Sequence, residues 1–580
     1  MARLLRTRHA LLFAAVSAAG CNQILGLGDF TEDTNEGSGG AGGASSSSSS
    51  SRPSSSSSTH ASSSRDASSQ SSSSTSAPAG STSGTGGAGG AMMACPPDAM
   101  RSCYDGPTGT DTQGLCTDGT QTCAEDGSAW GMCVGEVVPA VEDCTNPADE
   151  NCDGLDCIEW SKLHGDQTDA GASAVTVDAS GNVYLGGFFT GSVTIGNLPA
   201  LISSGQNDVF LVKYAPDGTP IWAERFGQAG AQYATGLGVD ANGDLLMSGI
   251  YAGTITLGPN TFMAAAGDSR GFVAKLSPAD GSVAWSVDFE TGSSNNVFLA
   301  VDPRPIASGG GDVAVLGTLV TGTDINVFLR RYTTGGALTV NKTYGNASTQ
   351  VGESIAMDAG GNMLISGEFA GSINFGDGSH TSAGGLDGFV AKLDSAGVAA
   401  WSLTFGDAND QYANAVGVSP TGEVYVGGAF YGTVNLGGGT LTSGGDADIF
   451  VAKLSAGGSH VWSLNVGDAS LQSLRSLAVD KDGDVAITGW NEGAMAFVNG
   501  PTLTTSGDDD LFVAKLDRAG ATLWARGYGD ANKQLGQTIT TTPLDEVVVA
   551  GWSKGTIDFG DGAHMAPGSG YNAFIAKLGK

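Results

Sequence analysis

One short motif recurs through the sequence: a glycine, then an acid or amide, and four residues later a glutamine. "GDANDQ" runs from Gly406 to Gln411, and "GQAGAQ", "GNASTQ", "GDASLQ" and "GDANKQ" begin at Gly227, Gly345, Gly467 and Gly529. The acid-or-amide positions are Asp166, Gln228, Asn346, Asp407, Asp468 and Asp530, with Gln232, Gln350, Gln411, Gln472 and Gln534 one short turn on. Such oxygen-rich side chains suit a polar ligand or a hard cation, calcium being the candidate cofactor, if the fold gathers them into a rim. Gly-Asp is equally ordinary turn chemistry, in which the acid caps its own backbone and glycine supplies a positive φ.

Other groups are weighed in the same way. Asp149, Asn151 and Asp153 alternate before Gly154 as in the first half of an EF-hand-like loop, but its twelfth position is Trp160, not the bidentate Glu. Asp143 or Asp156 could stand in, and a solvated acidic turn is the favoured reading. The series "VDASGN", "VDANGD", "MDAGGN" and "VDKDGD" at Asp178, Asp240, Asp358 and Asp480 reads as turns between first and second strands. A lysine recurs in "F-[VIL]-[AV]-K", as Lys213, Lys392, Lys453, Lys515 and Lys577, usually five residues after an acid or amide (Asp208, Asp387, Asp448, Asp510, Asn572). Pairing between neighbouring repeats is expected there. Catalysis finds little support. His164, His380, His460 and His564 are read as standing in different repeats at non-equivalent positions, and neither a G-x-S-x-G elbow nor a thiol beyond Cys157 is present. The chain is expected to bind a protein or glycan partner and not to be an enzyme. The alternatives are a propeller hydrolase or lyase, with or without calcium, and a purely structural envelope component.

The elements that must carry these residues follow from a longer period. "W-[SA]-x-x-[FVY]-G" aligns Trp160, Trp222, Trp285, Trp401, Trp462 and Trp524, with Val340 in the place of a seventh Trp. A spacing of about sixty residues filled with short apolar runs and glycine turns means β repeats. Four strands per repeat and seven repeats predict an all-β, seven-bladed propeller over 158–580. "IEWSKLHG" is a fourth strand without predecessors and "AFIAKLGK" a third without successor, so the two should share one blade and close the ring. The third repeat has "FETGSSN" in place of the motif and lacks the long connector, predicting a notch in the rim. "FVAKL" and "AVD-x-x-GN" resemble the seven-bladed bacterial (SBBP-type) propeller repeat family across this segment.

The remaining segments differ in kind. Residues 1–20 place Arg3, Arg6 and Arg8 before a short apolar run, as in an export signal. Ala18-Ala19-Gly20-Cys21 resembles a bacterial lipobox, which implies acylation of Cys21 and, with Asn22 following, anchoring to the outer membrane at the cell surface. Residues 21–91 are a Ser/Gly-rich linker too poor in apolar groups to fold. Residues 92–157 hold Cys95, Cys103, Cys116, Cys123, Cys133, Cys144, Cys152 and Cys157, an even set expected to form four disulfides whose pairing the spacing leaves open. This stretch resembles a cysteine-rich module found ahead of repeat domains in bacterial surface lipoproteins. A net charge of -33 over 580 residues argues against a nucleic-acid partner.

Overall fold

The computed structural model describes residues 94–580 except 108, 109, 112, 145, 147, 153–156, 167 and 293–296. The export signal, Cys21, the linker, Asp153 and Asp156 lie outside the described residues. Among those described, no helix is long and apolar enough to cross a membrane.

Seven four-stranded antiparallel sheets surround a central channel. Blade 5 shows the pattern: Gln411–Val418 innermost, then Val424–Phe430, Asp448–Leu454 and the outer His460–Val466. Its second and third strands are buried along their whole length because both faces pack on neighbouring blades, which is why "VYVGGAF" and "DIFVAKL" do not alternate. The innermost strand is buried on only one face, and the outer strand is partly exposed. Hydrophobic clusters accordingly lie between blades, with Val451 of blade 5 packed in the same cluster as Ile487 and Phe512 of blade 6.

The seventh blade is made from both ends of the propeller segment. Ile158–His164 pairs antiparallel with Asn572–Leu578, which pairs with Val547–Ser553 and through it with Gln534–Thr541. The expected ring closure is therefore present, and the register sets Trp160 opposite Lys577. The outer tryptophans bind the next blade: the indole N–H of Trp160, Trp222, Trp285, Trp401 and Trp462 donates to a carbonyl in the following turn between third and fourth strands. Trp524 faces the seam, where that turn does not exist. In its place it packs in a cluster with Cys144 and Cys157.

The four disulfides join Cys95 to Cys123, Cys103 to Cys133, Cys116 to Cys152 and Cys144 to Cys157. The last of them docks on the closing blade. Cys144 N–H donates to Lys580 O (3.2 Å), Gly579 N–H to Cys157 O (2.9 Å) and Lys580 N–H to Glu142 O (2.9 Å). Glu142 is fully buried there; burial pushes its carboxyl up to about 7 despite N–H donors from Asn151 and Cys157.

Candidate functional site

The repeated Gly-Asp motif forms a staple. Asp407 accepts from the N–H and Nδ2 of Asn409, from Gln411 Nε2, and, across the blade top, from the N–H and hydroxyl of Thr433 (2.9 and 2.8 Å). Asp166 holds Thr168 and Ser192, Asp468 holds Ser470 and Ala494, and Asp530 holds Asn532 and Thr556 in the same way. Asn346 donates to Ser372 and Gln228 to Thr256. Each motif thus ties the loop entering a blade to the connector between its second and third strands, and these bonds run within one blade. Partial burial raises each carboxyl, but the N–H and hydroxyl donors outweigh it. All four aspartates sit below their ordinary value, Asp407 at about 2.

In six blades that connector carries a small hairpin, such as Ser372–Asn374 with Ser379–Thr381. Blade 3 instead turns directly from Val313–Thr321 into Asp324–Tyr332 through Gly322 (φ 65°), which is the expected notch. Asp178, Asp240, Asp358 and Asp480 cap their own turns, each Oδ1 accepting N–H groups two and four residues on. The recurrent lysines require a correction. Where they form ion pairs, these lie within a blade: Lys392 to Asp358 (2.8 Å), Lys453 to Glu423 (3.1 Å), Lys515 to Asp480 (3.1 Å) and Lys577 to Glu546 (2.9 Å). What reaches the next blade is a hydrogen bond to a carbonyl, from Lys213 to Pro278, Lys453 to Arg518, Lys515 to Asp545 and Lys577 to Pro216.

The histidines also require correction. His164 and His564 share blade 7, and His380 and His564 are equivalent, in "FGDGSH" and "FGDGAH". His564 Nε2 lies 2.6 Å from Ser161 Oγ, whose hydroxyl donates to Asp561 (2.7 Å); His380, Ser402 and Asp377 repeat this in blade 4 (both 2.7 Å). The residue types are those of a Ser-His-Asp triad, but the order is reversed. A nucleophilic serine gives its proton to histidine while the acid holds the far ring nitrogen. Here the serine hydroxyl is spent on the acid, so both sets pin an outer strand to its hairpin. Asp149 and Asn151 lie in the cysteine-rich region, where Asp149 O accepts Leu115 N–H and Asn151 N–H donates to Glu142.

The residues that do converge were not singled out by the motif. Six innermost strands contain a β-bulge three residues after the Gln position, at Ser173, Thr235, Glu353, Asn414, Arg475 and Gln537. Its cause lies in the second strand, where a glycine stands opposite. A Cβ on Gly367 would come within 2.0 Å of Val351 O, and on Gly489 within 1.9 Å of Ser473 O, so only glycine admits the crowded carbonyl. Bulges re-aim a side chain, and here the re-aimed residue is polar in all six blades. Ser173, Thr235 and Asn414 each donate to a carbonyl of the next blade, Ala234, Val297 and Leu474.

Across blades 4 to 6 the bulge residues Glu353, Asn414 and Arg475 line a cavity of about 250 Å³ with Glu368, Tyr412 and Trp490. The Arg475 guanidinium lies over the Trp490 ring, 4.8 Å from its centre. Glu368, on the second strand of blade 4, is 6% exposed and its Oε2 has no hydrogen-bond partner among the described residues. Burial raises its carboxyl well above the ordinary value and Glu353 raises it further, against a smaller opposing pull from Arg475. Burial, Asp410 and Glu368 also raise the Tyr412 phenol. Two carboxyls, an amide, a guanidinium and aromatic faces at one concave site can bind a polar ligand from several sides.

No family model matches the chain. Regulatory protein FlaEY of Caulobacter vibrioides is 25% identical over 310 residues, covering 50% of this chain and 32% of that protein. An uncharacterized WD repeat-containing protein of Acanthamoeba polyphaga mimivirus is 28% identical over 92 residues, 14% of this chain and 7% of that one. The chain therefore spans a third or less of these curated relatives. Similar solved structures include polysaccharide lyase Uly1 (10% identity, TM-score 0.39, 73% of this chain and 99% of that). Another is Sqt1 of Chaetomium thermophilum bound to the N-terminus of ribosomal protein L10 (11%, 0.39, 72% and 98%). They include both enzymes and protein-binding propellers.

Proposed function

We propose that this chain is an exported propeller, anchored at the outer membrane through acylated Cys21, which binds a glycan segment in the blade 4 to 6 cavity without turning it over. The observation that carries the ligand class is the buried Glu368 Oε2, without a hydrogen-bond partner among the described residues, in a cavity also lined by Arg475, Asn414 and two aromatic side chains. Saccharide hydroxyls both donate and accept, and their apolar faces stack on rings. The anchor rests on the lipobox-like stretch at Cys21. A second reading is supported by one specific observation: the buried Glu368, its carboxyl raised by burial and then by Glu353 beside it, is the kind of acid pair that a hydrolase or lyase uses.

The test is retention of the full chain, purified in detergent, on a panel of immobilised saccharides, with Arg475→Met as the control. Saturable retention lost in the variant supports binding. New reducing or unsaturated ends in the eluate move the assignment to the enzyme. Retention on none of them ends the glycan reading and turns attention to a protein partner. For the anchor, Cys21→Ser is expected to move the protein out of the membrane fraction, and its persistence there would remove Cys21 from the account.

A further inference from the structure

A second cluster stands beside the cavity on the same face. Glu492 follows the second strand of blade 6, Asp508 and Asp509 precede its third, and one oxygen from each lies within 4.8 Å of the others. That distance is inside the span over which one calcium ion, with bonds of about 2.4 Å, bridges oxygens. The backbone is fixed on both sides, Glu492 N–H donating to Leu471 O and Gln534 N–H to Asp509 O (both 2.8 Å).

An acidic cluster alone proves nothing, but this one contains an independent irregularity. The Asp509 side chain is 8% exposed; its Oδ2 accepts Lys533 Nζ at 2.7 Å, while its Oδ1 is buried with no hydrogen-bond partner among the described residues. Lys533 also lies 3.5 Å from Asp508 Oδ1. It is a single ammonium beside three carboxyl groups. An unsatisfied buried carboxylate oxygen calls for a proton, a water or a cation. The Glu492 and Asp509 carboxyls bear on each other directly, and Asp508 and Glu492 reach solvent, so an entry path exists.

We propose that Glu492, Asp508 and Asp509 hold one hard divalent cation, calcium, at the channel mouth between blades 6 and 7, with Lys533 as a built-in competitor that keeps the affinity modest. Oxygen-only donors select calcium or magnesium over softer metals, and so open a site suits the weak range of extracellular calcium modules, about 10⁻⁴–10⁻³ M. The proposal does not depend on what the neighbouring cavity binds.

The experiment is calorimetric titration of the full chain, stripped with chelator, with calcium chloride alone and in parallel with magnesium chloride. One calcium per chain is expected. Glu492→Gln combined with Asp508→Asn changes only exposed groups and should weaken binding about tenfold or more. Lys533→Gln should move affinity the other way, tightening it. Asp149→Asn should leave it unchanged. Absence of binding at millimolar calcium overturns the proposal. So does binding indifferent to the double substitution, binding abolished by Asp149→Asn, or a Lys533→Gln variant that binds no more tightly than the parent.

Discussion

At the mouth of the channel two polar layers lie three residues apart, and they behave in opposite ways. The staple layer, built on Asp407 and Gln411 and their counterparts, repeats its residue types and, as in blade 5, spends its hydrogen bonds within the blade. The bulge layer keeps its geometry, with a glycine opposite every bulge outside blade 5's wider one, but changes its residue from Ser173 and Thr235 to Glu353, Asn414 and Arg475. Repetition of a side chain marks what the blades that carry it use to fix their tops. Variation on a repeated backbone feature marks what one part of the ring offers to a ligand. Blade 3 carries neither, since it lacks the motif and its short innermost strand Val297–Val301 pairs without a register shift.

The comparison is broken most forcefully at Gln411. Its side chain is fully buried, with Nε2 donating to Tyr431 O and Asp407 Oδ1 and Oε1 accepting from Asp407 N–H (3.0, 3.0 and 3.1 Å). Gln411→Ala strands a carbonyl and an N–H together and should cost about 3 kcal/mol of stability, read by denaturant unfolding. A loss of less than about 1 kcal/mol would show that the staple is not what holds the blade top.

The staple was legible in the sequence because a turn needs particular residue types, and six copies make the pattern visible. The tryptophan period, the capped turns at Asp178 and its relatives, the seam at Trp160 and the blade 3 notch were legible for the same reason. The bulge layer was not. Its residue type varies, and whether Glu353 faces the channel depends on pairing register, which the sequence states only indirectly through Gly367 across the ladder. Glu368 was hidden in the alternation of "LISGEF", where one charged residue reads as a solvent-facing position although the strand is buried throughout. The acid partners of the lysines were placed one blade too far because the repeat fixes where a lysine stands in its blade but not which way its long side chain reaches. The His380 and His564 equivalence was plain in "FGDG[SA]H", but its meaning depended on which way the serine hydroxyl points.

Glu368 sharpens the comparison with a pH dependence opposite in sign to that of the staple aspartates, whose lowered carboxyls lose stability as pH falls. Its folded carboxyl titrates well above the ordinary 4.5, chiefly through burial and then through Glu353. A group raised on folding contributes stability that is complete below its unfolded value and is lost as pH climbs through its folded one. Glu368→Gln keeps the volume and removes the proton requirement. The melting temperatures of parent and variant should therefore converge near pH 4 and separate above pH 4.5, with the variant the more stable at neutrality. Parallel curves across that window would mean that Glu368 finds a partner in solution and that the cavity is not held under electrostatic tension.

The smallest effect is expected at Thr235, which occupies the bulge in blade 2, well outside the cavity of blades 4 to 6. Its hydroxyl donates to Val297 O at 2.5 Å across the blade 2 to 3 boundary, the role that Ser173 plays one blade earlier. Thr235→Val preserves shape and β-branching, so the change isolates one hydrogen bond, worth about 1 kcal/mol. Saccharide retention should not move, because no side chain around the cavity bonds to Thr235. If retention fell in step with stability, the bulge residues would be acting as one coupled ring, and the division between a scaffold side at blades 1 and 2 and a binding side at blades 4 to 6 would fail. Combining Thr235→Val with Arg475→Met decides between these: independent positions add in stability, whereas members of one network depart from additivity by about 0.5 kcal/mol or more.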